Sequence, residues 1–552
     1  MTTATLGAVS RRFASFDTRT LPLAGSFIVL ALQFSLVFTR AINWDEFYYY
    51  AEVERFANGQ LERGLQTIHT RLFEWLTLLP GSEVDRIVAG RIVMFACEII
   101  TVASIAAIAR RFADQQTALL CALAYLSAGF VLQHGFSFRT DPLAAALLTS
   151  AMAILVRSRM NAWSILVFGL LTGWSLMVTI KVALYLPAFA GLAWLRWRDA
   201  NGSAAMAMRI ALAGTAGLAV FGITYLLHSS GITKPDAPQA AAMIGASGSK
   251  MFSLGVPPYW FIAVKAVLFA MPLALLILLV PGRLREKSRP LSERIALAGL
   301  IAPVLTPLFY HNTAPYYYAF MLPPVAAACA VSIPLVLKRY AEAFVALILT
   351  ANAVFIWSID GESRIDKQRQ ILEMADTMFP SGTTYFDMSY MLPTFTKGNG
   401  FMTPWGMEIY RNRGVPIYAQ AMAKGPVPLV VENDPMLTSL LRSDAPTGIF
   451  LPKDEASVRG SYVHYWGPLW LAGQQLEAGE TRRVELRVPG PYTVNGGPVT
   501  VNGKMYRDGQ TITLVRGAIK LSALSEESEL LWGEDRSRTD KPELEGLFWT
   551  GF

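Results

Sequence analysis

Charge is what this chain has least of: 16% of its residues are Asp, Glu, Lys or Arg, against roughly 25% in an average soluble protein. The shortfall is local. From about residue 21 to residue 358 the sequence is a series of apolar stretches separated by short polar turns, and from residue 360 onward it has the composition of a soluble domain. Cysteine is scarce as well. Cys97, Cys121 and Cys329 all lie in apolar runs, which excludes a disulfide framework or a thiolate metal site and leaves three small buried hydrophobes. There is no P-loop, no glycine fingerprint for a dinucleotide, no GxSxG and no HExxH, so ATP-driven and nicotinamide-dependent functions have no support. Internal repeats and long low-complexity linkers are missing too. The net charge of +7 is no nucleic-acid footprint, because the Arg and Lys residues sit mainly in short clusters between apolar runs, the topogenic pattern of a membrane protein.

What is present is hydrophobic: 53% of the residues. A helix that spans a bilayer needs about 20 mostly apolar residues. Candidates fall near 22–40, 87–109, 115–133, 142–157, 161–179, 182–196, 207–228, 259–280, 294–310, 318–337 and 341–358. The nearly continuous 161–196 region is split at Thr179-Ile180-Lys181, since one span of that length would be too long and would strand the lysine at mid-membrane. With about eleven helices, the clusters Arg11-Arg12, Arg110-Arg111, Arg157 with Arg159, Arg196 with Arg198, Arg283 through Arg289, and Lys338-Arg339 all fall on one side. That side is cytoplasmic by the positive-inside rule. The expected architecture is a polytopic α-helical membrane protein. It has a cytoplasmic N-terminus (1–20), a retained first helix, a transmembrane region over 21–358 with an outer loop at 41–86, and an extracytoplasmic C-terminal region over 359–552. A second long outer loop covers 229–258. The tail mixes a helical pattern at Ile365–Met378 and short strands at Thr384–Phe386 and Pro428–Val431 with a later β-rich part. There Val484–Val488 alternates, and Asn495-Gly496-Gly497 and Asn502-Gly503 signal turns.

The first outer loop is the most informative segment. It opens Asn43-Trp44-Asp45-Glu46-Phe47-Tyr48-Tyr49-Tyr50 directly after the first helix. Two adjacent carboxylates at the mouth of a membrane helix must be solvated, paired or functional, and an acid against an apolar wall suits a general base. The alternative for Asp45 is a helix cap. Amphipathic stretches follow at Tyr50–Ala57 and around Leu72, Phe73 and Leu76, as for helices lying in the interface plane. The second outer loop carries Arg139-Thr140-Asp141-Pro142. Asp141-Pro142 also fits a plain helix start, but Arg139 lies on the outer side against the charge trend. Lys181, His69-Thr70-Arg71, Lys234, Lys250 and Lys265 do the same, Lys265 within reach of simple snorkelling. Outer cations near a membrane are what a phosphate-headed lipid needs. His311 through Tyr318, with Tyr317, adds donors at another outer helix end or forms an aromatic belt. The five histidines are scattered, so a divalent metal has no support and no cofactor is implied. In the tail, Tyr462–Gly467 is either a sugar-stacking surface or a core cluster.

The outward Asp45-Glu46 pair after the first helix, the Arg139-x-Asp141 pattern and the run Gly173-Trp174-Ser175-Leu176-Met177-Val178-Thr179-Ile180-Lys181 together resemble the GT-C superfamily of membrane glycosyltransferases. The bacterial branch related to protein mannosyltransferases and the lipid A aminoarabinose transferase is the nearest in pattern. The resemblance covers roughly residues 20–350 and is carried by short motifs combined with topology. Where relatives have adjacent Thr-Lys, this chain inserts Ile180, and His69-Thr70-Arg71 stands where many carry Pro-Pro.

The resemblance implies an inverting glycosyltransferase that draws on a polyprenyl-phosphate sugar and transfers it to a glycolipid, polysaccharide or protein at the outer face of a bacterial cytoplasmic membrane. It makes Asp45 the catalytic carboxylate with Glu46 beside it. Arg139, Asp141 and Lys181 match its motifs around donor phosphate and substrate, and His69, Arg71, His311 and Tyr317 are further candidates there on their expected outer position. The competing expectations are a transporter or flippase of lipid-linked glycans, which would more often show a two-fold repeat, and an assembly protein whose function lies in its outer domain.

Overall fold

A computed structural model describes residues 20–232, 252–256, 259–400, 402, 404–443 and 445–549. Arg11-Arg12, Lys234 and Lys250 lie outside the described residues. The first part is helical: α1 (Thr20–Thr39), α2 (Trp44–Ala57), α3 (Ile68–Phe73), α4 (Glu83–Ala109), α5 (Gln115–Leu126), α6 (Gly129–His134), α7 (Thr140–Arg157), α8 (Ala162–Val178), α9 (Leu186–Asp199), α10 (Ala204–Ser229), α11 (Trp260–Phe269), α12 (Met271–Leu284), α13 (Leu291–Ile301), α14 (Pro315–Ala328), α15 (Ile333–Leu337) and α16 (Glu342–Ser358). Every apolar stretch expected to span is helical. By length and composition, five described helices can cross a membrane, namely α1, α4, α7, α10 and α13 with its 3-10 continuation to Leu308, and α11 with α12 makes a sixth if their 99° bend belongs to one span. The others are shorter or broken, as at Ser127-Ala128 between α5 and α6.

Two features of the bundle follow from residue size. Gly173 on α8 faces α10 so closely that a Cβ there would stand 2.6 Å from Val220, and Gly299 on α13 presses on Pro187 of α9 in the same way. Small residues let helix backbones approach where lipid offers no hydrophobic driving force. The expected break before Lys181 is present. Thr179 turns extended, Ile180–Tyr185 forms a 3-10 turn, and α9 begins at Leu186, so Lys181 lies between two helices rather than within one.

The tail adds α17 (Ile365–Met378), α18 (Pro404–Arg413), α19 (Ile417–Lys424), α20 (Pro435–Arg442) and α21 (Pro452–Arg459). Its strands are β1 (Thr384–Phe386), β2 (Thr396–Lys397), β3 (Leu429–Val431), β4 (Tyr462–Trp466), β5 (Leu469–Leu476), β6 (Thr481–Leu486), β7 (Gly490–Gly496), β8 (Val499–Val501), β9 (Lys504–Tyr506), β10 (Thr511–Leu514), β11 (Gly517–Ala523) and β12 (Ser528–Trp532). One sheet runs β10-β7-β12-β5-β3-β1-β2 with β4 also on β5, and a second runs β6-β11-β8-β9. Strand β1 pairs in parallel with β2 and β3, so the tail is α/β at its start and an antiparallel β structure after it. The hairpin β8–β9 turns on Asn502 and Gly503, both at positive φ, the conformation a two-residue hairpin turn requires. Tyr465 and Trp466 are buried, with Trp466 donating to the Pro542 carbonyl at 2.9 Å. Tyr462–Gly467 is therefore core, not a sugar-stacking face.

The tail rests on the helical part. Gln368 on α17 reads the main chain of Ile42 in both directions, at 2.8 and 2.9 Å. Asp360 pairs with Arg40 and accepts from Gln133 at 2.6 Å. Thr394 donates to Glu83 at 2.6 Å. These contacts tie the tail to the end of α1 and to the loop that carries Asp45.

Candidate active site

The site is built at the start of α2. Asn43 caps this helix, its side chain accepting from the Asp45 amide at 3.0 Å while Glu46 accepts from the Asn43 amide at 3.0 Å. This is a capping box, and it settles the alternative for Asp45: Asn43 and Glu46 satisfy the helix end. The Asp45 carboxylate instead meets the guanidinium of Arg139 through Oδ2, and Oδ1 has no hydrogen-bond partner among the described residues.

Glu46 faces the other way. It is fully buried and held by Arg91 of α4 in a two-pronged pair, Nε to Oε2 at 2.7 Å and Nη2 to Oε1 at 2.6 Å. The Phe138 amide, in the loop before α7, donates to it at 2.8 Å. Burial works to raise the Glu46 carboxyl, but Arg91 and these amides hold it below the usual carboxylate range. Arg91 spends its remaining donors on the carbonyls of Val37, Arg40 and Ala41 at 3.2, 2.8 and 3.1 Å. Glu46 and Arg91 thus pin the end of α1, the start of α2 and the loop before α7 to one another. Gly90 makes room for this, since a Cβ there would stand 2.4 Å from the Phe138 ring. Glu46, placed beside Asp45 in the chemistry by the sequence, sits where it orients Asp45 and reaches no open space.

Arg139 precedes α7 in extended backbone and is 3% exposed. Besides Asp45 it reaches Asp141 through Nε at 3.5 Å, and Lys181 donates to the other oxygen of Asp141 at 2.5 Å. Asp141 is therefore a bridge between two cations and not a plain helix-start residue. The Tyr316 ring lies over Arg139, 3.3 Å from Cζ to the centroid, and 5.2 Å from the Lys181 ammonium. Tyr49 approaches Arg139 at 5.7 Å. Desolvated cation–π contacts of this kind favour a guanidinium held flat on a ring.

Beyond Tyr49 lies a second polar set. His69 is buried edge-on to Tyr49, ring centroids 5.2 Å apart, with Nε2 3.4 Å from Glu52. Glu52 also accepts from Tyr48 at 2.9 Å and pairs with Arg63. Tyr48 stacks edge-on against Tyr390 of the tail, whose hydroxyl accepts from Arg55 at 2.6 Å. Burial opposes ionisation of Glu52, yet Arg63 and His69 bring its carboxyl down to about 2. A depressed acid contributes stability above its ordinary value and loses it as pH falls through the folded value. The melting temperature of the wild type is therefore expected to fall more steeply than that of Glu52→Gln between pH 4.5 and about 2. Parallel curves would contradict the pairing.

The remaining expected residues are dispersed. Arg71 is exposed and lies over the Phe56 ring at 5.0 Å. His311 pairs with Ser253 at 3.2 Å. Tyr317 is wholly buried, hydroxyl to hydroxyl with Thr306, and its neighbour Tyr316 is the tyrosine on the cations. Lys265 is exposed on α11, 5.1 Å from the Phe269 ring. Sequence reasoning missed Arg91 and the pairing of Glu52 with Arg63, and within the set His311 to Tyr318 it singled out Tyr317 where Tyr316 lies on the cations. Arg91 had a signal: an arginine inside the apolar run 87–109, where a charge demands a partner.

No family model matches the sequence, and no curated protein sequence does. Solved structures do resemble this one. The apo oligosaccharyltransferase of Archaeoglobus fulgidus superposes with a TM-score of 0.53 at 10% identity, covering 93% of this chain and 95% of that one. The same enzyme in complex with Zn and sulfate gives 0.51 at 12%, covering 91% and 94%. Apo ArnT from Cupriavidus metallidurans gives 0.51 at 14%, covering 74% and 92%. The likeness is one of fold: this chain has the GT-C fold, a helical membrane part followed by a C-terminal β-containing part.

Proposed function

We propose that the chain is an inverting glycosyltransferase that moves a sugar from a polyprenyl-phosphate donor to an acceptor hydroxyl at the outer face of the cytoplasmic membrane. The observation that carries this reading is the meeting of Asp45, Arg139, Asp141 and Lys181 at the starts of α2 and α7 and just past the end of α8. Nucleotide sugars are not available outside that membrane, so the donor is lipid-borne and its leaving group is a phosphate. The acceptor oxygen attacks the anomeric carbon as its proton passes to Asp45. The bond from that carbon to the phosphate oxygen breaks, and its electron pair leaves on polyprenyl phosphate. Lys181 and Arg139 meet the charge that develops there. A single attack through the acceptor inverts the anomeric centre. Glu46 keeps Asp45 in register and takes no part in proton transfer. Residues 21–358 then form the membrane-embedded catalytic part, and 359–552 a periplasmic cover whose loop around Tyr390 borders the site.

One fold neighbour was solved with Zn and sulfate. The donor set here does not fit a divalent cation. Asp45 and Asp141 are each already paired with a fixed side-chain cation, and no group of three or more His, Cys, Asp or Glu side chains able to hold a metal occurs among the described residues. No step of the reaction is assigned to a metal.

The reading is tested by incubating purified protein in nanodiscs with a panel of polyprenyl-phosphate sugars and candidate acceptors. Free polyprenyl phosphate and an acceptor carrying the sugar in inverted configuration are expected by mass spectrometry and NMR. A flippase would return every donor intact while moving it between leaflets, and that result would overturn the proposal.

A further inference from the structure

We infer that Arg139 stands where a divalent cation would otherwise bridge the two acidic loops, so that this chain supplies the bridging charge itself. The inference rests on the glycosyltransferase reading only for its activity arm. Its structural basis is the connectivity of one guanidinium. Nη1 binds Asp45 at the start of α2, and Nε lies 3.5 Å from Asp141 at the start of α7. One positive centre thus joins carboxylates from two separate outer loops, the arrangement a metal ion makes when it gathers oxygen ligands. Lys181 takes the second oxygen of Asp141. Two carboxylates facing two fixed cations leave the cluster with no net charge, so a metal ion entering it would meet an ammonium and a guanidinium without surplus negative charge to hold it.

The surroundings keep Arg139 in this role. It is almost completely buried, and the Tyr316 face 3.3 Å from Cζ occupies the side on which further ligands or waters of a metal would sit. A guanidinium is charged at every accessible pH and has a fixed fork of donors, so the bridge does not depend on the supply of an ion. Removing that one side chain leaves Asp45 and Asp141 on either side of the space it filled, with Lys181 still bound to one of them. The proposal therefore predicts a gain of function from a deletion: the emptied bridge takes up a divalent cation.

The test is a Mn2+ titration of purified protein, with free ion followed by electron paramagnetic resonance. Wild type is expected to show no Mn2+ site that is lost on Asp45→Asn substitution. Arg139→Ala is expected to acquire one site per chain, at least about tenfold tighter than any in the wild type, and the double variant with Asp141→Asn is expected to lose it. A wild-type site abolished by Asp45→Asn would overturn the inference. So would an Arg139→Ala protein with wild-type elution and thermal transition that binds no Mn2+. Should Arg139→Ala fail to fold, Arg139→Ser, which also empties the bridge and removes the charge, is held to the same outcomes. In the activity arm, wild-type transfer is expected to be unchanged by EDTA, and transfer lost to chelator and restored by Mn2+ would overturn the inference. Absence of any transfer would count against the glycosyltransferase reading while the binding arm still decides this one.

Discussion

Asp45→Asn is expected to lower sugar transfer by about 10²–10⁴-fold, the usual contribution of a positioned base, while the protein remains folded and inserted. The substitution is nearly isosteric. An Asn side-chain oxygen still accepts from Arg139, and the capping of α2 is untouched because Asn43 and Glu46 supply it. On the proposed mechanism, what is lost is the ability to take a proton from the acceptor. The measurement is turnover by wild type and variant at saturating donor, alongside elution profile and melting temperature for each. A variant that folds and turns over normally would remove Asp45 from the chemistry.

Arg91→Ala is expected to be the most destabilising single change in the membrane part, by about 3–5 kcal/mol, the cost of breaking a buried ion pair by removing one partner. The loss is compounded here. Glu46 would remain buried with only amide donors, and the carbonyls of Val37, Arg40 and Ala41 would lose theirs. Arg91→Lys keeps the charge without the two-pronged geometry and is expected to fall between. Unfolding in detergent, followed by thermal or denaturant titration, measures both. Because the same strut sets Asp45 against Arg139, Arg91→Lys is also expected to lower turnover more than it raises the donor dissociation constant. An Arg91→Ala protein as stable as wild type would show that the strut contributes nothing.

The helices of the fold were legible because a membrane demands apolar runs of a set length. The break before Lys181 followed from the cost of a stranded charge. Helix continuity was less legible: the kink between α11 and α12 falls just before Pro272 in the first turn of α12, where proline disfavours a continuing helix, and hydropathy registers neither this nor the breaks around Ser127. At the site, Asp45, Arg139, Asp141 and Lys181 announce themselves as charges at the ends of apolar runs, and the structure brings all four together. Glu46 and Tyr317 show what adjacency conceals. Neighbouring residues on a helix project about 100° apart, so of two carboxylates one faces the site and the other Arg91, and of three tyrosines the first covers the cations. His69, Arg71 and His311 are expected on the same side as the site, yet sidedness alone does not say which cation reaches which carboxylate.

The most direct measurement of the account separates donor binding from chemistry in two variants. Asp45→Asn and Lys181→Ala are titrated with a polyprenyl-phosphate sugar that the wild type consumes, and dissociation constant and turnover are recorded for each. The predicted result is a near-normal dissociation constant with turnover lowered by about 10²–10⁴-fold for Asp45→Asn, and a clearly raised dissociation constant for Lys181→Ala. Transfer at the wild-type rate by Asp45→Asn, or donor affinity indifferent to Lys181, would contradict it.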